Sequence, residues 1–335
     1  MMKAGRRSAR GKDGFSLIEM IVSLAVLMIV SATALGGVMN LTKTSGTVNN
    51  RTEMHAGVRN ATELLQQEVG QAGRITIPAN ITLAAARNVG DTTLTVSSAT
   101  GIYVGEYLAI GTGGDILCQV GCEETIKVNA IAGTQITIEN NAAVTKGHRE
   151  LWYTHAAGAP VRVSGGFAYG VVPTAEISPG VTTNVVNGST GSVLKIFGDI
   201  NGNGAMVYIE YSCEINPSPG VLRRRVNLYT DAVKQPMAAN QVLLNNIIAN
   251  PDGTACFTYQ QKMVGATAFV TDVAITLTVQ TAERDPGTGL FQNETKALLN
   301  VSPRNVFNVW QLAGLGLGYR VQPIPPSVTL LLPQP

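Results

Sequence analysis

The apolar residues of this chain follow two regimes. From Phe15 to Val38 they run nearly unbroken, with one carboxylate at Glu19 followed by the stretch Met20 to Val30. A membrane-spanning helix needs roughly 20 such residues, so 15–38 is expected to cross a bilayer. The run does not close on the small-residue A-x-A site of a secretory signal. From Leu41 onward the apolar residues thin to Val48, Met54, Val58, Ala61, Leu64, Leu65, Val69 and Ala72. Several of these keep the 3, 4, 7 spacing of an amphipathic helix. No proline occurs between Phe15 and Ile77, and Gly73, Arg74 and Pro78 make a C-terminal stop. The pattern predicts one helix over 15–73, about 87 Å from Phe15 to Ala72 at 1.5 Å per residue. Gly36, Gly37, Gly46 and Gly57 are its weak points, and Arg59 and Glu63 share a face.

Beyond Gly73 the period changes. Val, Ile and Thr dominate, no long 3.6-residue pattern recurs, and Gly-containing turns such as Gly90-Asp91 and Gly113-Gly114 separate short alternating runs. The expected fold class is α+β: a long N-terminal helix packed on an antiparallel β-sheet head. The expected divisions are a linker over 74–87, an inserted β-rich module over 88–163, the head over 164–310 and a tail over 311–335. Strands are expected at Thr93–Val96, Gly101–Ile110, Glu124–Val128 and Gln135–Ile138 in the module. In the head they are expected near Val193–Phe197, Ala205–Tyr211, Val221–Val226, Ala255–Tyr259 and Val270–Val279. Val328–Leu332 is too short to span a bilayer and reads either as an edge strand or as a loose tail.

Charge changes the picture at the N-terminus. Lys3, Arg6, Arg7, Arg10 and Lys12 stand against Asp13, a net of +4, whereas the whole chain carries +2; the remainder is therefore −2. Basic residues crowded beside a membrane segment stay cytoplasmic, which puts everything after Val38 on the far side. The basic isoelectric point belongs to the leader and gives no reason to expect nucleic acid. Glu19 is the costly residue. An acidic side chain at mid-membrane costs roughly 2.5–3.5 kcal/mol unless it finds a partner or reaches the interface.

Gly14-Phe15-Ser16-Leu17-Ile18-Glu19 resembles the signal of type IV prepilins. The resemblance implies a leader, residues 1–14, cut by a prepilin peptidase between Gly14 and Phe15, N-methylation of Phe15, and pairing of Glu19 with the N-terminal amine of a neighbouring subunit. Partners would be that peptidase and other pilins, met first in the inner membrane with the head periplasmic and then in a pilus at the cell surface. From Ser192 to Asn305 the strand order resembles PilW-family minor pilins and the J-type pseudopilins of type II secretion, and 88–163 departs from both. A minor pilin of the initiating or tip complex is the first reading. A J-type pseudopilin, or an adhesin using the inserted module, is the alternative.

Candidate chemistry is sparse. Cys118, Cys122, Cys213 and Cys256 fall in the exported part, where disulfides persist. Of the three pairings, sequence proximity favours Cys118–Cys122 and Cys213–Cys256. His148 and His155 fit no common zinc spacing with the first two cysteines. Asp199-x-Asn201-x-Asn203-Gly204 matches the first half of an EF-hand-like calcium loop with Glu210 at the twelfth place. The competing reading is an Asp/Asn/Gly hairpin turn followed by a strand that holds Glu210 away. No other cofactor is implied. Arg223-Arg224-Arg225 is expected on a solvated edge strand. Glu123-Glu124 and Glu283 with Asp285 are expected in solvated turns. Trp152, Tyr153 and Trp310 are expected to pack. No nucleophile elbow, phosphate loop or H-E-x-x-H motif appears, and the chain is not expected to be an enzyme.

Overall fold

The computed structural model describes residues 16–78, 80–112, 122–140, 150–174, 187–236 and 241–334. The fold is α+β and pilin-like, with a long N-terminal apolar helix and a head of antiparallel sheets. The chain divides into two compact units, Met1–Glu53 with Thr281–Gln292, and Met54–Gln280 with Asn293–Pro335.

Helix α1 runs Leu17–Gln71 without a break, so none of its glycines melts it. In the first unit its large apolar side chains, Leu17 through Leu41, stand exposed. The loop Thr281–Gln292 lies against the next two turns; a Cβ on Gly46 would come within 3.2 Å of the Pro286 ring. Gly46 is therefore a close-approach glycine, and so is Gly57 in the second unit, where a Cβ would meet Leu244 at the same distance.

In the second unit Val58, Ala61, Leu65, Val69 and Ala72 are fully buried. They lie on the amphipathic stripe that the sequence predicts. They pack with Leu194, Ile196, Ile209, Leu222, Ile247 and Phe257 of the main sheet. Each large apolar side chain so buried stabilises the docked half by roughly 2 kcal/mol before ordering costs. The helix stops where expected. Gly73 takes φ +83°, and a Cβ there would press on Val306 Cγ2 at 2.8 Å, so only glycine fits both the left-handed turn and the approach.

Two sheets follow. The first has five antiparallel strands: β1 (Thr93–Thr95), β2 (Tyr107–Ile110), β3 (Glu124–Ala132), β4 (Gln135–Ile138) and β5 (Val161–Val163), in the order β1-β4-β3-β2-β5. It has its own core, including Leu83, Leu94, Leu108, Ile126 and Ile136. A two-residue strand β6 (Gly166–Phe167) comes next. The main sheet has seven strands: β7 (Val193–Gly198), β8 (Val207–Glu214), β9 (Gly220–Leu228), β10 (Val242–Ile248), β11 (Phe257–Val264), β12 (Thr267–Gln280) and β13 (Asn293–Val301). Their order is β11-β12-β10-β9-β8-β7, with β13 on β12.

The last stretch departs from the sequence reading. Residues Arg304–Gly314 form a helix, α2, burying Val306 and Val309. Val321–Gln322 is a short strand, β14, parallel to β6. Pro326–Leu331 is a helix, α3, neither an edge strand nor a loose tail. Val328 and Leu331 pack with Phe167, Phe197 and Tyr208. Gln322 ties this stretch to the five-stranded sheet: its Nε2 donates to Tyr107 O at 2.9 Å and its Oε1 accepts Tyr107 N at 2.9 Å.

Candidate assembly site

The first turn of α1 carries a reciprocal cap. Ser16 N donates to Glu19 Oε2 at 2.9 Å, and Glu19 N donates to Ser16 Oγ at 3.3 Å. This is a capping box, and Ser16-x-x-Glu19 announces it in the sequence although the charge of Glu19 alone drew notice there. Glu19 therefore has a local partner within the subunit. Gly14 and Phe15 lie outside the described residues.

At the other end, a buried charge cluster fastens the helix to the main sheet. Glu68 accepts Arg224 Nη2 at 2.5 Å and Arg224 Nε at 3.1 Å, and Tyr211 Oη donates to it at 2.5 Å. Burial opposes charge on Arg224, but the hydrogen bonds and charge of Glu68 outweigh it and raise the guanidinium's pKa. Burial, then Glu68, pushes the Tyr211 hydroxyl well above its ordinary value. The arginine run thus sits on β9, which pairs with β8 on one side and β10 on the other. It is an interior strand, not a solvated edge, and each arginine has a carboxylate: Arg223 has Glu214, Arg224 has Glu68 and Arg225 has Glu210. No sequence spacing links residue 68 to residue 224; only the docked fold brings them together.

Cys213 and Cys256 form a disulfide joining β8 to the start of β11. Cys122 is likewise disulfide-bonded. Cys118, its expected partner, lies outside the described residues, as does His148.

The Asp199 turn closes on itself. Asn203 N donates to Asp199 Oδ1 at 3.1 Å and Gly204 N to Oδ2 at 3.3 Å, with Arg74 Nε 3.7 Å away. Asn201 is exposed. Glu210 is not brought to this turn. It pairs across the ladder with Lys195, four residues before Asp199, roughly 13 Å along the strand. Its carboxylate takes Lys234 Nζ at 2.8 Å and the Tyr208 hydroxyl at 2.7 Å. Burial would raise Glu210, but those two hydrogen bonds and the nearby lysines hold it below the usual range. Lys195 is pushed down to about 8 by burial, helped by Lys234 and Arg225 and opposed by Glu210. Glu210 lies on strand β8. The described residues contain no group of three or more His, Cys, Asp or Glu placed to hold a metal ion.

Two acids expected in solvated turns are buried. Glu124 opens β3 and accepts Trp152 N at 2.8 Å, Tyr153 N at 3.2 Å and the His155 ring at 2.6 Å. It pins the loop that carries Trp152 to the sheet, so His155 serves packing. Asp285 caps its own turn, accepting Gly287 N and Thr288 N at 2.8 and 2.7 Å. Trp310 packs against Phe307, the rings tilted at 58° with 5.3 Å between their centres.

A third acid escaped notice in the sequence. Glu106 is fully buried, accepts Tyr103 N at 3.2 Å through Oε2, and has no hydrogen-bond partner for Oε1 among the described residues. Burial pushes its carboxyl up to about 8, only partly offset by the Tyr103 amide.

Residues 9–35 match the family described as the prokaryotic N-terminal methylation motif, a type IV pilin-like signal. The matched stretch contains Gly14, Phe15 and Glu19. Comparison with curated proteins yields no match, and neither does comparison with solved structures.

Proposed function

We propose that this chain is a non-enzymatic structural subunit, a minor pilin of the PilW type. It is cut after Gly14 by a prepilin peptidase, methylated on Phe15 and drawn from the inner membrane into a type IV pilus. The observation that carries this reading is the methylation motif at 9–35 leading directly into one 55-residue helix. That helix is apolar and exposed in its first half, and buried in the head's core in its second. An apolar helix of this kind has two settings available, a bilayer before assembly and the apolar helices of other pilins after it. Its membrane-length window has no buried residue.

Glu19 acts as the assembly residue in two steps. In the free subunit it caps its own helix through Ser16. In the filament it exchanges that cap, worth about 1 kcal/mol, for the charged N-terminal amine of a neighbour. A paired charge in an apolar setting is worth more than an amide cap, so the exchange favours the filament. Glu19→Ala should leave leader cleavage and membrane insertion intact while abolishing incorporation into pili. Normal incorporation of the variant would end this role for Glu19.

The J-type pseudopilin reading uses the same motif and helix. Loss of secreted enzymes, with pili intact, in a strain lacking this chain would favour it. The adhesin reading draws on the separate core of the five-stranded sheet. Deleting 88–163 should then abolish adherence without loss of pili.

A further inference from the structure

The main sheet ends on β13, nine residues long. One side of it pairs with β12 from Asn293 to Val301. Among the described residues no other strand pairs with it, and no backbone bond from outside the β12 ladder reaches it. In an antiparallel pair every second residue turns its N–H and C=O away from the partner. The other side of β13 is therefore a row of open ladder groups about 26 Å long. Glu294 and Leu298 face the helix: Glu294 pairs with His55, and Leu298 packs against the main core. Lys296, between them, shares that face. Asn293, Thr295 and Ala297 are exposed on the opposite one.

The strand runs out into a groove of about 520 Å³ between α1 and the start of α2, lined by Gln66, Gln67, Gln71, Asn300, Ser302 and Arg304 among others. Amide and hydroxyl side chains both donate and accept, as a peptide backbone requires. Charge decides which peptide suits. Glu63, at the groove, is held by Arg59 at 2.6 Å, and Glu294 by His55. Lys296 and Arg304 are exposed and have no acidic partner among the described residues. The edge thus carries two unanswered cations and no unanswered carboxylate. A second copy of this chain is a poor occupant. Antiparallel pairing of β13 with itself needs a two-fold axis normal to the sheet. That axis would reverse the helix lying on the sheet's face, whereas subunits sharing a membrane or a filament point the same way. It would also set cations against cations.

We propose that β13 is an acceptor edge for a neighbouring pilin of different sequence. An extended segment of that neighbour, bearing Asp or Glu, adds to the open side as a further strand. One carboxylate meets Lys296, and the segment ends in the groove, where another meets Arg304. Backbone bonds give the contact its strength, and the two cations set which strand is accepted. A lysine on an edge ordinarily discourages pairing; here it turns away a second copy and admits an acidic strand. The edge lies beside α1, so packing of the helices brings the neighbour's head within reach. This inference rests on the pilin reading.

The test is photo-crosslinking of the full chain in its native cells, with p-benzoylphenylalanine replacing Ala297 on the edge or, separately, Val233 on an exposed head loop. Mass spectrometry of the purified adducts reads both the joined peptides and the mature N-terminus. The expected adduct at 297 is several-fold stronger than at 233. It joins a segment containing Asp or Glu in another protein that carries the same methylation motif. Lys296→Glu/Arg304→Glu should cut its yield several-fold without changing the Tm of the purified chain. The ladder is regular from Asn293 to Leu298, so one of Thr295→Pro and Lys296→Pro removes an outward N–H and leaves the bonds to β12 whole. That variant, recognised by its parental Tm, should lose the adduct too, and by more than Lys296→Ala does. Equal adducts at 297 and 233 would overturn the edge. So would an adduct to a second copy or to a protein without the motif, or a yield indifferent to either the charge reversal or the proline. These outcomes with Phe15 as the mature N-terminus remove the edge alone; any other N-terminus removes the pilin reading and the edge with it.

Discussion

Removing Glu68 should loosen the helix from the head. In Glu68→Ala the Arg224 guanidinium loses both its hydrogen bonds to the carboxylate, and the buried Tyr211 hydroxyl loses its acceptor. Breaking a fully buried ion pair costs about 3–5 kcal/mol, chiefly because the remaining charge is stranded. Arg224 keeps a quarter of its side chain exposed and can rehydrate in part, which lowers this to about 2–3 kcal/mol. An orphaned buried hydroxyl adds about 1 kcal/mol. The unit concerned has roughly 270 residues, for which about 3.5 kcal/mol corresponds to a fall in Tm of about 6 °C. Calorimetry of the mature chain in detergent reads it. The double variant Glu68→Ala/Arg224→Met removes the stranded charge and should recover about 2 kcal/mol, a coupling that a double-mutant cycle isolates. A loss below about 0.5 kcal/mol in the single variant, or no coupling in the cycle, would show that the apolar stripe alone holds the helix.

Two further outcomes follow from the head. Cys213 and Cys256 close a loop with a sequence separation of 43, so Cys213→Ser/Cys256→Ser should cost about 4 kcal/mol by loop-closure entropy; equal melting in oxidised and reduced protein would contradict this. Glu106, raised by burial to about 8 in the folded chain from an ordinary 4.5, makes the folded state hold the extra proton between those values. Its contribution is therefore fully present at low pH and is lost as pH rises through about 8, by at most about 1.4 kcal/mol per pH unit. Glu106→Gln should flatten the stability profile between pH 5 and 8, and an unchanged slope would place the titration elsewhere.

The helix was legible because its signals are local. Apolar length, the 3–4 stripe from Val58 to Ala72, and Gly73 all act within a few residues. The long central strands, such as Thr267–Gln280 with its run of Val and Ile, declared themselves the same way. Strands β10 and β13 did not. Val242–Ile248 has two asparagines in its middle, and Asn293–Val301 opens on the polar run Asn-Glu-Thr-Lys and pairs with β12, so neither alternates cleanly. Helix α2 was missed because its apolar side is short and its start follows Pro303 without a side-chain cap. The arginine run and the acids Glu124 and Asp285 look solvated when read along the chain. Arg224 finds its partner 156 residues away and Glu124 its ring partner 31 residues away, and Asp285 finds its own in the geometry of the turn. Local pattern finds elements; which charges are buried depends on which elements meet.

Cleavage after Gly14 is the event that makes this chain a pilin. Mass spectrometry of the N-terminal peptide of the chain purified from membranes or filaments tests it directly. The expected peptide begins at Phe15 and carries one methyl group. An intact leader, or a cut near Ala32–Ala34 as a secretory signal would give, would contradict the pilin reading and the role proposed for Glu19 with it.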